Sequence, residues 1–240
     1  MLEKFSTPLA SPFYPKPPYL YKDAELFLAL FNPTEESIEK MLPDPLKPSQ
    51  LPLAALLFGK MPCVETGTFI ESALLVQCLF ENLQTGEEEV GVYFSHNYVD
   101  TDIAQACGRE IWGYPRKIAK TSMRWRKDTL TASTKRNGNT LFKAKCKLDD
   151  EGEWIDSGPN VNFKVIPSVT GDSFDLAVVT AAYLTYDIRN GRSGEVDLEF
   201  NGGPEDDFSL VEIETPMLGL YFDCNITLPA GKVVSKLRLD

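Results

Sequence analysis

Residues 68–100 read TFIESALLVQCLFENLQTGEEEVGVYFSHNYVD. Two long runs rich in β-branched, aromatic and aliphatic residues, 68–80 and 88–100, flank a Thr85-Gly86 turn signal, and this predicts a hairpin of two long strands. One residue in the first run is out of character. Glu71 lies in an otherwise apolar strand, where a charge costs several kcal/mol unless it is paired or neutralised. It is read either as an ion-pair partner of Arg109 or as a proton donor of raised pKa, and both readings put it in or near a pocket.

Working outward, Glu25–Phe31 (ELFLALF) is an apolar run of strand length, and Pro33-Thr34-Glu35-Glu36 looks like a helix start with acids in its first turn. Ile38, Met41 and Leu42 follow at helical spacing until Pro43 and Pro45 end the helix. Leu53–Phe58 is a strand or a buried helical turn. Prolines at 8, 12, 15, 17 and 18 favour an extended N-terminal segment over residues 1–22, with Phe13, Tyr14, Tyr19 and Tyr21 available to anchor it on the protein body or on a second subunit. Downstream, Asp100-Thr101-Asp102 offers N-cap candidates for a short helix over 103–111, halted near Gly113-Tyr114-Pro115. Stretches 118–125, 129–135 and 139–148 predict a meander with KRNGN as its hairpin turn. FKAKCKL alternates strictly, so one face carries Lys143, Lys145 and Lys147 and the other Phe142, Ala144, Cys146 and Leu148. The acidic DDEGEWID (149–156) reads as a solvated loop, and strands are expected at 163–166, 175–188, 194–200 and 218–228. The expected architecture is α+β but mostly β, one domain over 1–240 with two or three short helices.

Charge and cysteines narrow the function. A net charge of -11 and a pI near 4.7 oppose general binding to nucleic acid or anionic membranes, because the summed field repels polyanions. Five cysteines without a CxxC pair argue against a disulfide framework. A single imidazole, His96, cannot build a His-rich metal site, and no metal or cofactor is expected. The N-terminus lacks the apolar core of a signal peptide, and no apolar run approaches the roughly 20 residues that span a bilayer. A cytoplasmic protein is expected.

Against this acidic background, residues 109–127 carry seven of the 24 basic residues and Glu110 as their only acid. Arg124, Arg126 and Lys127 read as an exposed strand face. The Gly113-Tyr114-Pro115-Arg116-Lys117 turn suggests more. A lysine in an apolar pocket beside a fixed cation loses its proton readily, because desolvation and like charge both disfavour the ammonium form. Its free amine can attack a ketone, and the protonated imine then accepts the electron pair released when a neighbouring bond breaks. Lys117 beside Arg116 fits that composition, since the guanidinium stays charged at usable pH. His96 reads as a structural, hydrogen-bonded residue before a general base. Cys107 has no evident histidine partner for a nucleophilic role.

The order and content of FSTPLASPFYPKPPY (5–19), LPDPL (42–46), IES (70–72), ACGREIWGYPRKIAK (106–120), FKVIPS (163–168) and NITLP (225–229) resemble the acetoacetate decarboxylase family over nearly the whole chain. GRE-x-x-G-x-P followed by basic residues is the most specific part. The resemblance implies a β-cone or barrel with flanking sheets, oligomeric assembly, and a Schiff-base lysine in an apolar cavity, the first of two adjacent lysines after the proline. Here Arg116 stands at that position and Lys117 matches the second lysine. A family arginine linked to substrate recognition would fall near Ala24. Glu71 matches the family's active-site glutamate, and Arg109 and Glu110 match GRE. The resulting expectation is a lyase on a β-keto acid or polyketide-like carbonyl compound of secondary metabolism, with Lys117, Arg116 and Glu71 as catalytic residues and Arg109, Glu110, Trp112 and Tyr114 binding substrate. The alternatives are an isomerase, cyclase or hydrolase that uses no imine, and a catalytically silent binder of small acids.

Overall fold

Alternation of side chains at period two carries most of the chain into strands. In the computed structural model, which describes residues 4–237, β1 (Tyr19–Pro33) leads to α1 (Glu35–Met41), β2 (Lys47–Pro48), β3 (Ala54–Cys63), β4 (Gly67–Asn82) and β5 (Glu87–Val99). A second helix, α2 (Asp102–Cys107), runs into a widened π-type turn at Gly108–Trp112, and β6 (Arg116–Ile118) follows. β7 (Lys120–Arg126), β8 (Thr129–Arg136) and β9 (Asn139–Lys147) form the meander. β10 (Asp150–Glu151), β11 (Asn160–Pro167), β12 (Phe174–Ala182), β13 (Thr185–Gly194), β14 (Val196–Phe200), β15 (Ile213–Leu228) and β16 (Lys232–Lys236) complete the order. Residues 1–3 and 238–240 of the expected 1–240 domain lie outside the described residues.

Twelve strands share one sheet, with the path β10-β13-β15-β1-β3-β4-β5-β11-β12-β16 and with β2 added on β4 and β6 on β5. The second sheet runs β14-β9-β8-β7. The mostly-β class holds, and the cone is built from open sheets, since the end strands β10 and β16 are not neighbours in this path. The predicted hairpin is β4 and β5, paired antiparallel from Glu71↔Val99 to Asn82↔Glu87.

Both faces of the large sheet are covered, which explains why ELFLALF is apolar at every second position on both sides except at Glu25. On β1, Phe27, Ala29 and Phe31 pack into the main core, where Phe58, Leu74, Tyr98 and Phe142 are fully buried. Leu26, Leu28 and Leu30 face the opposite way and line a cavity. The FKAKCKL stretch resolves in favour of the apolar face, with Phe142, Ala144, Cys146 and Leu148 all buried. Thr34 caps α1 through its side chain, and among the three candidates before α2 it is Thr101 that accepts from the Ala104 N–H. The KRNGN turn has Asn137 and Gly138 both at positive φ, as a type I′ hairpin requires.

Several expectations change. Of the run 53–58, Ala54–Phe58 belongs to strand β3 and Leu53 precedes it, which settles that ambiguity. The run 118–125 divides at Ala119 between β6 in the large sheet and β7 in the small one. The run 175–188 divides at Tyr183-Leu184, and its halves β12 and β13 lie near opposite ends of the large sheet. DDEGEWID is no free loop: Asp150 and Glu151 pair with Ser193 and Arg192 of β13. Trp154 then packs on Tyr186 and Phe222, at ring separations of 4.3 and 5.1 Å. Apolar burial of Trp154 outweighs the acidic composition around it. The N-terminal segment is anchored on the body, with Tyr14, Tyr19 and Tyr21 buried and the Ser6 hydroxyl bonded to the Tyr14 carbonyl at 2.9 Å.

Candidate active site

Strand alternation separates the two residues after Pro115. β6 pairs parallel to β5 with Asn97↔Arg116 and Tyr98↔Lys117, so Arg116 shares the cavity face with Asn97, and Lys117 shares the core face with Tyr98. The turn that delivers Arg116 is built on two glycines. Gly113 sits at φ 83°, and a Cβ there would lie 2.7 Å from the Lys164 backbone nitrogen. At Gly108 a Cβ would lie 2.5 Å from Arg116 Cδ and 2.6 Å from its Nη1, so the missing side chain makes the channel the guanidinium occupies.

Arg116 is 3 % exposed and fully engaged on one edge. Its Nη2 donates to Glu71 Oε1 at 2.9 Å, its Nε to Asn97 Oδ1 at 3.1 Å, and its Nη1 to the Ala104 carbonyl at 2.7 Å. The last bond goes to a carbonyl near the end of α2 that also accepts from the Gly108 N–H. The Phe69 and Tyr114 rings flank the guanidinium, with centroids 5.3 and 5.0 Å from Cζ. Asn97 Nδ2 also donates to Glu71 Oε1 at 2.9 Å, which closes a triangle of Arg116, Asn97 and Glu71. Burial works against the guanidinium's charge, but the attraction of Glu71, with Tyr21, Cys107 and Tyr114 adding to it, leaves the Arg116 pKa above the ordinary arginine value.

Glu71, Arg116, Tyr114 and Tyr21 stand together in the wall of one large cavity on this face of the sheet. Burial raises the Tyr21 and Tyr114 phenols above their usual range, so both stay protonated and can donate. Tyr114 Oη accepts from Asn160 Nδ2 at 2.8 Å. The rest of the lining is largely aliphatic and aromatic, and no lysine belongs to it among the described residues. Glu71 thus pairs with Arg116, where the sequence suggested Arg109.

The other expected site residues lie elsewhere. Lys117 Nζ bonds Asp206 Oδ1 at 2.8 Å and the Glu205 carbonyl at 2.7 Å, on the far face of the sheet, where Tyr98 and Arg136 also bond Asp206. Lys117, the expected imine-forming residue, therefore lies on the face of the sheet opposite this cavity. Arg109 is exposed and reaches the Arg116 carbonyl only at 3.5 Å. Glu110 is also exposed and accepts from the Tyr14 hydroxyl, fastening the N-terminal segment. Trp112 is buried in packing, with its Nε1 donating to the Pro229 carbonyl at 2.8 Å and Tyr19 edge-on at 5.1 Å. None of these three lines the cavity. Ala24 is fully buried, and no cation of β1 lines the cavity.

His96 packs on Phe208 at 4.6 Å and is held near the Lys117 side. Burial, helped by the Lys117 charge, pushes its pKa down to about 4. Burial pushes the Cys107 thiol up to about 11, which leaves no thiolate for nucleophilic work. Arg124, Arg126 and Lys127 are exposed, and all five cysteines are free. Among the described residues no group of acidic, histidine and cysteine side chains is placed to hold a metal ion, and no helix is long and apolar enough to cross a membrane.

Sequence reasoning missed Asn97, Tyr21 and Trp154. Asn97 carried only a weak signal, a polar residue between His96 and the apolar Tyr98-Val99, because a bulge between Phe94 and His96 breaks the alternation that would have placed it on the cavity face. Tyr21 and Trp154 reach the cavity only through the contacts of separate segments.

Comparison with known proteins bears on the family and the fold. The chain is 25% identical over 238 residues to acetoacetate decarboxylase 1 of Bradyrhizobium diazoefficiens, covering 95% of this chain and 92% of that one. A solved structure of acetoacetate decarboxylase from Legionella pneumophila superposes with TM-score 0.84 at 26% identity, covering 98% of this chain and 95% of that chain. Another acetoacetate decarboxylase structure reaches TM-score 0.87 at 22% identity, covering 99% and 97%. The profile of the family described as acetoacetate decarboxylase (ADC) matches residues 6–237, and the chain belongs to that family.

Proposed function

We propose that the protein is an enzyme that stabilises an enolate without forming an imine, acting on a β-keto acid or related polyketide-like carbonyl compound. The observation that carries this reading is the orientation of β6: Arg116 enters the cavity against Glu71, while Lys117 is tied to Asp206 on the other face. A guanidinium that stays charged at usable pH cannot act as an amine nucleophile, but it is a preorganised cation where water is scarce. A guanidinium has five donors, and the Arg116 bonds described above use three of them. The remaining N–H groups are available to a substrate carbonyl oxygen.

In the proposed reaction Glu71 takes a proton from the carbon beside the carbonyl, and the electron pair moves onto the oxygen held by Arg116. The enolate then takes the proton back at another carbon, giving an isomerase, or attacks a second carbonyl in the same molecule, giving a cyclase. Loss of carbon dioxide from a β-keto acid would lead to the same enolate. The N–H of Asn97 holds the Glu71 carboxylate in place during the transfer. Free cysteines fit a reducing, cytoplasmic setting, and assembly as a homo-oligomer accompanies this reading.

The test is α-proton exchange of a ketone in deuterated water, followed by NMR, combined with borohydride trapping. Wild type and Lys117→Arg, which keeps the charge that bonds Asp206, are expected to exchange alike and to trap no ketone. Glu71→Gln and Arg116→Gln are expected to lose exchange by at least a hundredfold. A borohydride-trapped adduct on Lys117 would overturn the proposal. Ligand binding without exchange by any variant would favour the silent binder.

A further inference from the structure

The cavity carries its charge at one end only. On its face of β4 the residues are Glu71, Ala73, Leu75 and Gln77, a span of six residue steps and therefore about 20 Å of strand. Cross-strand register builds apolar rungs beyond the charged one. Leu28 lies beside Leu57 and Ala73, Leu30 beside Ala55 and Leu75, and Leu53 next to Gln77. On the other side of β1, Leu26 pairs with Phe222 and Leu28 with Leu220. Among the residues that line the cavity, the charges belong to the first rung, at Glu71 and Arg116; farther along, the polar groups are neutral and include Asn160, bonded to the Tyr114 hydroxyl at 2.8 Å, and Gln77, bonded to Ser49 at 2.8 Å.

Several of these apolar side chains are short of cover. Leu28, Leu53 and Leu75 remain half-buried although each points into the cavity wall. Trp154 crosses above them and is half-buried itself, while its neighbour Ile155 is 52 % exposed at the rim. A small keto acid seated at Arg116 would leave these leucines facing water. Nothing in proton transfer at Glu71 requires an apolar channel of this length.

We propose that the substrate carries an unbranched or lightly branched aliphatic tail of medium length, with its carbonyl at Arg116 and its tail along Leu28, Leu75 and Leu53. The occupant is a single amphipathic molecule because the charged rung and the leucine rungs lie in one continuous wall. This inference rests on the proposed carbonyl chemistry for the placement of the head group, but its test needs no turnover.

Butanone and methyl heptyl ketone are titrated into the full-length protein by calorimetry or by ligand-observed NMR. Affinity is expected to rise about fourfold per added methylene, the gain that burial of one methylene implies. The longer ketone should therefore bind at least a hundredfold more tightly. Leu53→Trp, which fills the far end, and Leu75→Gln, which makes it polar, are expected to lower affinity for the long ketone tenfold or more and to leave butanone unchanged. Two variants guard against a folding defect in either. Equal affinity for the two ketones overturns the inference. So does a long ketone that dissociates a dimer, because the leucine face would then be covered by a second copy of the chain. Proton exchange that fails while chain-length dependence persists removes only the proposed reaction; exchange that persists with flat chain-length dependence removes only the aliphatic tail.

Discussion

Arg116 and Glu71 form a pair in which each makes the other's burial tolerable. Side-chain exposure is 4% for the arginine and 6% for the glutamate, so neither can be hydrated if its partner is removed. Arg116→Met is expected to destabilise the protein by about 3–5 kcal/mol, and the double variant Arg116→Met with Glu71→Leu by much less, because the cost lies in the unpaired charge. Urea denaturation midpoints check this, and a double variant no more stable than the single one would contradict it. His96, the chain's one histidine, makes a pH prediction. The folded protein holds it neutral down to about pH 4, whereas an imidazole in the unfolded chain titrates near 6.5. Between these values the unfolded state binds more protons, so stability is full above about 6.5 and falls as pH drops toward 4. The wild type is expected to lose on the order of 2 kcal/mol more than His96→Gln across this window. Parallel stability curves for the two proteins would place His96 outside the low-pH response. The Glu71 anomaly was legible from sequence alone, because an acid in an apolar strand demands a partner. Which arginine supplied it was not, since Arg109 and Arg116 are both basic residues of the same short turn.

At the scale of elements, α2, the π-type turn and β6 act together. Gly108 has ordinary helical backbone angles, φ -62° and ψ -46°, so alanine would suit the chain itself. The added methyl would instead collide with Arg116. Gly108→Ala is expected to cost about 1–3 kcal/mol and to shift Arg116 off Glu71, lowering proton exchange far more than it lowers the unfolding midpoint. Unchanged exchange in a folded Gly108→Ala protein would show that the guanidinium has room to spare. The presence of α2 and the β4–β5 hairpin followed from local signals: a cap within Asp100-Thr101-Asp102, a stop near Gly113-Tyr114-Pro115, Thr85-Gly86 as turn; the change from α2 to the π-type turn after Cys107 did not. The breaks at Ala119 and at Tyr183-Leu184 were illegible because the apolar pattern runs on across them. They are places where the chain changes partner strand, and that choice depends on residues far away in sequence. Trp154 was misread for the same reason, its acidic neighbours hiding an aromatic anchor whose partners lie on β13 and β15.

For the whole molecule, the main core joins both sheets through Phe142, which contacts Phe58, Tyr98, Phe200 and Phe208 at ring separations of 5.4–6.4 Å. Phe142→Ala is expected to cost about 3–5 kcal/mol. If residues 1–240 form one domain, tryptophan fluorescence and far-ultraviolet circular dichroism of wild type should report one shared unfolding transition. Two separated transitions would divide the sheets into independent units. Composition and alternation by themselves determined a mostly-β chain with an acidic surface, a cation-rich turn and one misplaced acid, because period-two patterning and charge are local properties. They also put Arg116 where the resemblance implied lysine. Only the tertiary structure decided which of two adjacent cations faces the cavity. That follows from the pairing of β6 with β5, since the parallel register fixes Arg116 beside Asn97 and turns Lys117 to the opposite face.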